Sequence, residues 1–183
     1  MALTSKIQII GTAAAKITFA GGSSVDFMLL KNGATFTPEV ANAVNEAQNV
    51  DVGVDSMLKG LTIKVSQALL DINLFASLLG VTAAVSGTTP NQIYTAAITQ
   101  GTPFPYFKLE VQSTRVESAD PSADAAGDAH IIVYKAKISK LDDIVLDNKD
   151  YTVIGFEAKA IRDFTNSNKF WDIVINETAT DIA

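Results

Sequence analysis

Between residues 104 and 177 apolar and polar side chains alternate in four successive segments, and this period of two constrains the chain more than any other feature. Successive side chains on a strand point to opposite faces, so each segment reads as a strand with one face turned to a core. Phe107, Leu109 and Val111 alternate with Lys108, Glu110 and Gln112, up to Val116. Ile132, Tyr134, Ala136 and Ile138 alternate with Val133, Lys135 and Lys137. Ile154, Phe156, Ala158 and Ala160 oppose Val153, Glu157 and Lys159, and Trp171, Ile173 and Ile175 oppose Phe170, Asp172 and Val174. The small, polar link from Ser118 to Asp128 is expected to be a loop joining antiparallel neighbours, and Asn166-Ser167-Asn168 the turn of a further hairpin.

Upstream the signals are shorter. Val25 to Leu30 lies between Gly21-Gly22-Ser23-Ser24 and Asn32-Gly33, a strand between turns. Ala34 to Asn49 is read as a strand despite Pro38 and its alanines. No periodicity survives from Val50 to Gly60, which is expected to be a long loop and a contact element between subunits, carried by Asp51, Gly53, Asp55, Ser56 and Lys59. Leu61, Ile63 and Val65 then alternate with Thr62, Lys64 and Ser66 as a strand with a solvent side. Asp71 is placed to cap a helix over residues 71–79, with Ile72, Phe75, Leu78 and Leu79 at helical spacing and Gly80 to end it. Residues 83–92 have a loop composition, and a short strand is expected at Ile93 to Ile98. Strands with a single helix and no βαβ alternation predict a mainly β fold, an antiparallel β-sandwich or barrel with one short packed helix and long loops. Residues 1–183 are expected to form one domain, with 1–23 as an N-terminal arm.

The reactive inventory is small: no cysteine and one histidine, His130, which is read as a surface or hairpin-edge residue with no catalytic role. No Gly-x-Ser-x-Gly elbow or Ser-x-x-Lys placement anchors hydrolase chemistry, and Gly21-Gly22 lacks the Lys-Ser/Thr of a phosphate loop. Asp142, Asp143, Asp147, Asn148 and Asp150 could together meet the oxygen-ligand demand of calcium, but their order is not that of an EF-hand and they are read as an acidic turn. The expectation is therefore a protein that is not an enzyme, with no catalytic residue, cofactor or metal. A net charge of −6 disfavours non-specific binding to phosphates, and hydrophobic residues at 48% against 19% charged leave apolar surface for self-association. Ile7 to Ile10 is too short for a signal core, and the apolar stretch Ala68 to Val85 is broken by Asp71, Asn73, Ser77 and Thr82, so a soluble protein is expected. Phe170 and Trp171 point to opposite faces of a strand, so one is expected in the core and the other at the surface or in an interface.

The order of these elements resembles the major tail tube proteins of tailed bacteriophages, whose fold is shared with secretion-system tube proteins. The resemblance runs from about Lys31 to Thr178. It is carried by Glu46 to Asp55 leading through Gly60 into Leu61 to Val65, by the helix Ile72 to Leu79, and by the strands holding Gly155 to Ala160 and Phe170 to Ile175. It implies a structural virion protein, without catalytic residues, that forms hexameric rings stacking into a hollow tail tube for genome ejection. The partners implied are other copies of the chain and further tail proteins (tape measure, terminators, and a sheath where the tail contracts), with DNA passing through the lumen unbound and no membrane. The location implied is the virion tail, assembled in the host cytoplasm. Two other classes share these features: a carbohydrate-binding or adhesin-type β-sandwich module, which would stay monomeric and bind glycan, and an enzyme.

Overall fold

A computed structural model describes residues 7–10, 14–27, 29–47, 50–67, 71–118, 127–144, 154–176 and 178–182. Its chain runs through β1 (Ile7–Ile10), β2 (Ala14–Phe19), β3 (Ser24–Phe27), β4 (Leu29–Ala47), β5 (Val50–Gln67), helix α1 (Ile72–Leu78), β6 (Ala83–Ser86), β7 (Ile93–Ala96), β8 (Tyr106–Ser118), β9 (Gly127–Leu141), β10 (Ile154–Ala160) and β11 (Trp171–Asn176). The fold is mainly antiparallel β, as the alternation predicts. Among the described residues, nine strands form one sheet in the order β3-β2-β8-β9-β10-β5-β4, with β1 added to β8 and β11 to β9, while β6 and β7 make a separate hairpin. Of the N-terminal stretch expected as an arm, the described residues join the sheet: β1 pairs with β8, and Ala15, Ile17 and Phe19 of β2 are core residues.

The inward phases are those of the sequence. Leu61, Ile63 and Val65 of β5, Phe107, Leu109 and Val111 of β8, and Phe156, Ala158 and Ala160 of β10 are buried in one cluster with the β2 residues. Because β2 and β5 lie near opposite ends of the strand order yet share this cluster, the sheet curls over a single core. Phe107 stands edge-on between Phe19 and Phe156, at ring-centroid distances of 6.3 and 6.1 Å. Such edge-to-face pairs add about 0.5–1.5 kcal/mol each beyond area burial.

β9 departs from simple alternation. Its buried apolar residues are Ala129, Val133, Ala136 and Ile138, a spacing that jumps by three at Tyr134-Lys135. Leu109 pairs with Val133 but Phe107 with Ala136, so two β9 residues oppose one on β8 and the core-facing phase shifts there. The face predicted from Ile132 and Tyr134 is therefore corrected on the N-terminal side of this bulge. The opposite edge of β9 is shared end to end. β10 pairs with Ala136 to Leu141 and β11 with Asp128 to Val133, so the hairpin expected between the last two strands does not form. The bulge lies in the gap between them, where Tyr134 N–H donates to Phe170 O (3.3 Å) and Ile161 N–H to Lys135 O (2.9 Å). The excursion between, residues 161–170, turns through Ser167 and Asn168 at φ 55° and 61°, with Asp163 accepting from Thr165 N–H, Thr165 Oγ1 and Asn166 Nδ2.

α1 forms where expected. Asp71 accepts from the N–H groups of Asn73 (2.8 Å) and Leu74 (3.3 Å), which would otherwise lack partners in the first turn. At the other end Gly80, at φ 72°, lets its N–H reach Ser77 O and Val81 N–H reach Ala76 O, closing the helix. The buried side chains are Leu74, Ala76 and Leu78, with Leu79 just after, whereas Ile72 and Phe75 of the predicted stripe are half-buried. A two-turn helix covered by the main core on one side and by β6 and β7 on another has no single apolar stripe. β6 itself replaces the first part of the loop expected at 83–92, and Asn32-Gly33 lies within β4 at a shift in its pairing with β5 rather than in a turn. Gly21-Gly22 does form the β2–β3 turn. The proposed loop from Ser118 to Asp128 falls on residues 119–126 outside the described residues, flanked by β8 and β9.

A Cβ at residue 80 would meet Pro103 O at 2.9 Å and would strain a left-handed residue. Gly80→Ala is expected to lower unfolding stability by about 1–2 kcal/mol, and Asp71→Ala by about 1 kcal/mol through loss of the cap, each measured as a change in denaturant midpoint at constant slope.

Candidate functional site

The segment expected to be a loop from Val50 to Gly60 is strand, and this is the principal correction to the sequence reading. β4 and β5 stay paired from Glu39↔Gly60 out to Ala47↔Val50, with register shifts after Glu39 and after Asn45. β10 accompanies β5 only from Leu61 to Gln67. Beyond Leu61 the β4–β5 pair therefore projects as a two-stranded ribbon about 25 Å long, at about 3.4 Å per residue. Among the described residues, neither outer edge of this ribbon is paired. Asp51, Gly53, Asp55, Ser56 and Lys59 all lie on its β5 strand, with Asp51 opposite Glu46, Gly53 opposite Asn45 and Asp55 opposite Ala43. Ser56 donates to Asn42 Oδ1 across the ribbon at 2.8 Å, and Lys59 is exposed.

The side chains that give the ribbon its character were missed by the sequence reading. Val40, Met57 and Leu58 are 57%, 64% and 40% exposed. Val40 faces Leu58 in the register and Ala41 faces Met57, so apolar groups stand on both sides of the ribbon. At its base Ala41, Met57, Leu58, Ile161 and Phe170 line an open groove of about 330 Å³ together with Lys59 and Arg162. Arg162 lies 5.8 Å over the Phe170 ring, and Phe164 nearby in sequence is 79% exposed. The root is fixed by Glu39, which accepts from Thr62 Oγ1 and lies 3.4 Å from Lys159 Nζ, bridging β4, β5 and β10; these contacts, the Thr62 hydrogen bond first, pull its carboxyl below the usual range.

His130 is not at the surface: its side chain is 5% exposed. Its Nδ1 lies 2.8 Å from Glu110 Oε1 and its Nε2 2.9 Å from Asp128 Oδ2, with both carboxylates equally buried. Asp128 further accepts from Gln112 Nε2 (2.7 Å), Asn176 Nδ2 (2.8 Å) and Thr180 N–H (2.9 Å), and Lys108 Nζ is 3.1 Å from Glu110 Oε2. Burial alone would raise the Asp128 pKa, but these donors, His130 first, hold the carboxyl well below the usual range. Burial likewise pulls the imidazole down, and the hydrogen bonds to Glu110 and Asp128 outweigh it, so His130 titrates above its ordinary value. The cluster ties β8, β9, β11 and residue 180 together.

The remaining sequence candidates separate. Trp171 packs against the core while Phe170 stays half-buried at the groove, so no paired aromatic platform exists at these two residues. Asp142 and Asp143 follow β9, and Asp147, Asn148 and Asp150 lie outside the described residues. Among the described residues, no helix is long and apolar enough to cross a membrane.

No family model matches the chain, and no curated protein matches it. Among solved structures it is similar to a chain of the anti-feeding prophage (AFP) baseplate determined by cryo-EM with sixfold symmetrisation, with a TM-score of 0.44 and 9% identity over 94% of this chain and 97% of that one.

Two substitutions separate surface from core. Met57→Ser with Leu58→Ser is expected to change subunit stability by less than about 0.5 kcal/mol per site, as exposed positions do, whereas Leu109→Ala should cost about 2–5 kcal/mol; thermal or urea unfolding measures both. Asp128→Asn should cost about 3–5 kcal/mol at pH 7, the penalty of breaking a buried ion pair from one side. Because Asp128 titrates below its unfolded value, its stabilisation is present above about pH 4 and is lost as pH falls through the depressed folded value, which stability measured between pH 5 and pH 2 should follow.

Proposed function

We propose that this chain is a structural, non-enzymatic subunit of a tail-like particle, whose copies close into hexameric rings that stack as a hollow tube for a viral genome. The observation that carries the reading is the β4–β5 ribbon. Two strands alone are marginally stable in water, and this pair exposes Val40, Met57 and Leu58 while leaving its edges unpaired. Docked on a neighbouring copy, the same features become an asset: edge groups add to a second sheet and the apolar side chains leave water. A ribbon that leaves its own subunit to meet a different patch on the next makes a head-to-tail interface, which closes as a ring when the rotation permits and grows along an axis when rings stack. The resemblance of the chain's layout to tail tube proteins supports the same reading. Other tail proteins at the ends of the tube, and a virion location, follow from it.

Analytical ultracentrifugation with negative-stain electron microscopy tests the proposal. The native protein at high concentration is expected to give rings and tubes. The Met57→Ser, Leu58→Ser variant should remain folded and run as a monomer. A native protein that stays monomeric at every concentration would remove the proposal, and so would normal tubes from the double variant remove the ribbon's part in it. A conduit must also release its cargo. With six more acidic than basic residues, the tube is expected to retain no duplex DNA at physiological salt. Binding with a steep inverse dependence on salt would instead identify a cationic DNA surface.

A further inference from the structure

The Glu110–His130–Asp128 cluster takes no part in the ribbon, and its geometry sets a protonation requirement. Both imidazole nitrogens face carboxylate oxygens, at 2.8 and 2.9 Å. Every other contact to Asp128 comes from a donor: Gln112 Nε2, Asn176 Nδ2 and Thr180 N–H. Lys108 likewise offers its ammonium to Glu110. Both carboxylates are therefore acceptors, and only an imidazolium, with two N–H groups, satisfies both. We propose that this cluster is a proton-operated latch that holds segment 178–182 against β8, β9 and β11 while His130 is charged and frees it when His130 loses its proton.

The connection to the segment is direct. Thr180 N–H donates to the same Asp128 oxygen that faces His130, Thr180 O accepts from Gln112 Nε2 at 2.9 Å, and Thr180 Oγ1 accepts from Asn176 Nδ2 at 2.6 Å. A neutral imidazole has one N–H and one lone pair. It would turn the lone pair toward one buried carboxylate and leave two buried anions facing each other across the ring, a costly arrangement that moving Asp128 outward relieves. Among the described residues, the other charged groups near the ring are engaged elsewhere or exposed. Lys108 already bridges Glu110 and is about one third exposed; Lys16 stands opposite Glu110 in the β2–β8 register; Asp172 on β11 is occupied by Tyr134 and Lys169; and Asp181, beside Thr180, is exposed and acidic. The raised imidazole pKa has the matching sign: the latch is closed below about pH 6.5 and opens as pH climbs through the higher folded value.

Hydrogen exchange read by mass spectrometry on the assembled or unassembled protein, from pH 6 to pH 10 and corrected for intrinsic exchange, tests this at the Thr180 amide. Protection there is expected to fall at least tenfold with rising pH, while a peptide from Phe107 to Val111 stays protected. Glu110→Gln removes one of the charges that favour imidazolium, so its midpoint should move to lower pH. His130→Gln should give weak protection at every pH. In unassembled protein the single imidazole can also be followed by NMR without assignment ambiguity, and its titration midpoint should coincide with the loss of protection. Flat protection to pH 10, loss in step with the core peptide, or an unmoved midpoint in Glu110→Gln would each overturn the latch.

Discussion

The pairing of β8 with β9 is the contact on which the rest of the subunit depends. At 13 and 15 residues these strands are longer than the neighbours they carry, and each shares its outer edge between two shorter strands laid end to end. A long flat pair could not enclose a core. The bulge at Tyr134-Lys135 supplies the local bend, and it sits at the junction between β10 and β11. There the two ends of the 161–170 excursion contribute an acceptor and a donor to the bulged backbone. Tyr134 N–H and Lys135 O, which the irregular strand would otherwise leave without ladder partners on that edge, are thereby satisfied inside the sheet.

This central pair also separates two kinds of interior. On one face Leu109, Val111 and Val133 build the apolar core; on the other, Glu110, Asp128 and His130 form a buried polar cluster with the half-buried Gln112 beside it. Apolar burial is non-directional and tolerates small shifts in register, whereas the cluster's hydrogen bonds do not. A slip of one residue between β8 and β9 would carry Glu110 to the apolar side and Leu109 to the charged side. The cluster's contribution is thus registry as well as cohesion, since buried ion pairs are weak net stabilisers when compared with apolar side chains of similar size.

Where one face of a strand meets the core and the other meets water, the sequence displayed the fold directly: the core-facing residues of β5 from Leu61, of β8 from Phe107 to Val111 and of β10 from Phe156 to Ala160 were legible from alternation. The helix was legible for a different reason, because Asp71 and Gly80 mark its ends by backbone chemistry rather than by pattern. The ribbon was hidden because it has no buried face. Val40 with Leu58 on one side and Met57 on the other destroy alternation, and register shifts at Glu39 and Asn45 break what period remains. His130 was misplaced because its partner Glu110 lies 20 residues away and its burial comes from pairing across strands. Such contacts leave no local trace. The five residues Asp51, Gly53, Asp55, Ser56 and Lys59 lie on the β5 strand of this ribbon, in a stretch whose glycines and acids carry no period.

The ribbon's lack of such support has an energetic corollary. Native sheets blunt their edges with charges, prolines, bulges or covering elements, and here Pro38, Glu39 and Lys159 do so at the ribbon's root. Farther out, Met57 and Leu58 are apolar and accessible. Fully burying a side chain of this kind is worth about 1.5–3 kcal/mol, so two or three of them on a partner offset only part of the cost of ordering the strands that bear them, and the cross-strand pairing must supply the rest. If copies assemble through the ribbon as proposed, the core around β8 and β9 serves folding and the ribbon serves contact. Folding and assembly are then separable steps, since the ribbon's exposed side chains can be altered without disturbing the core that presents them.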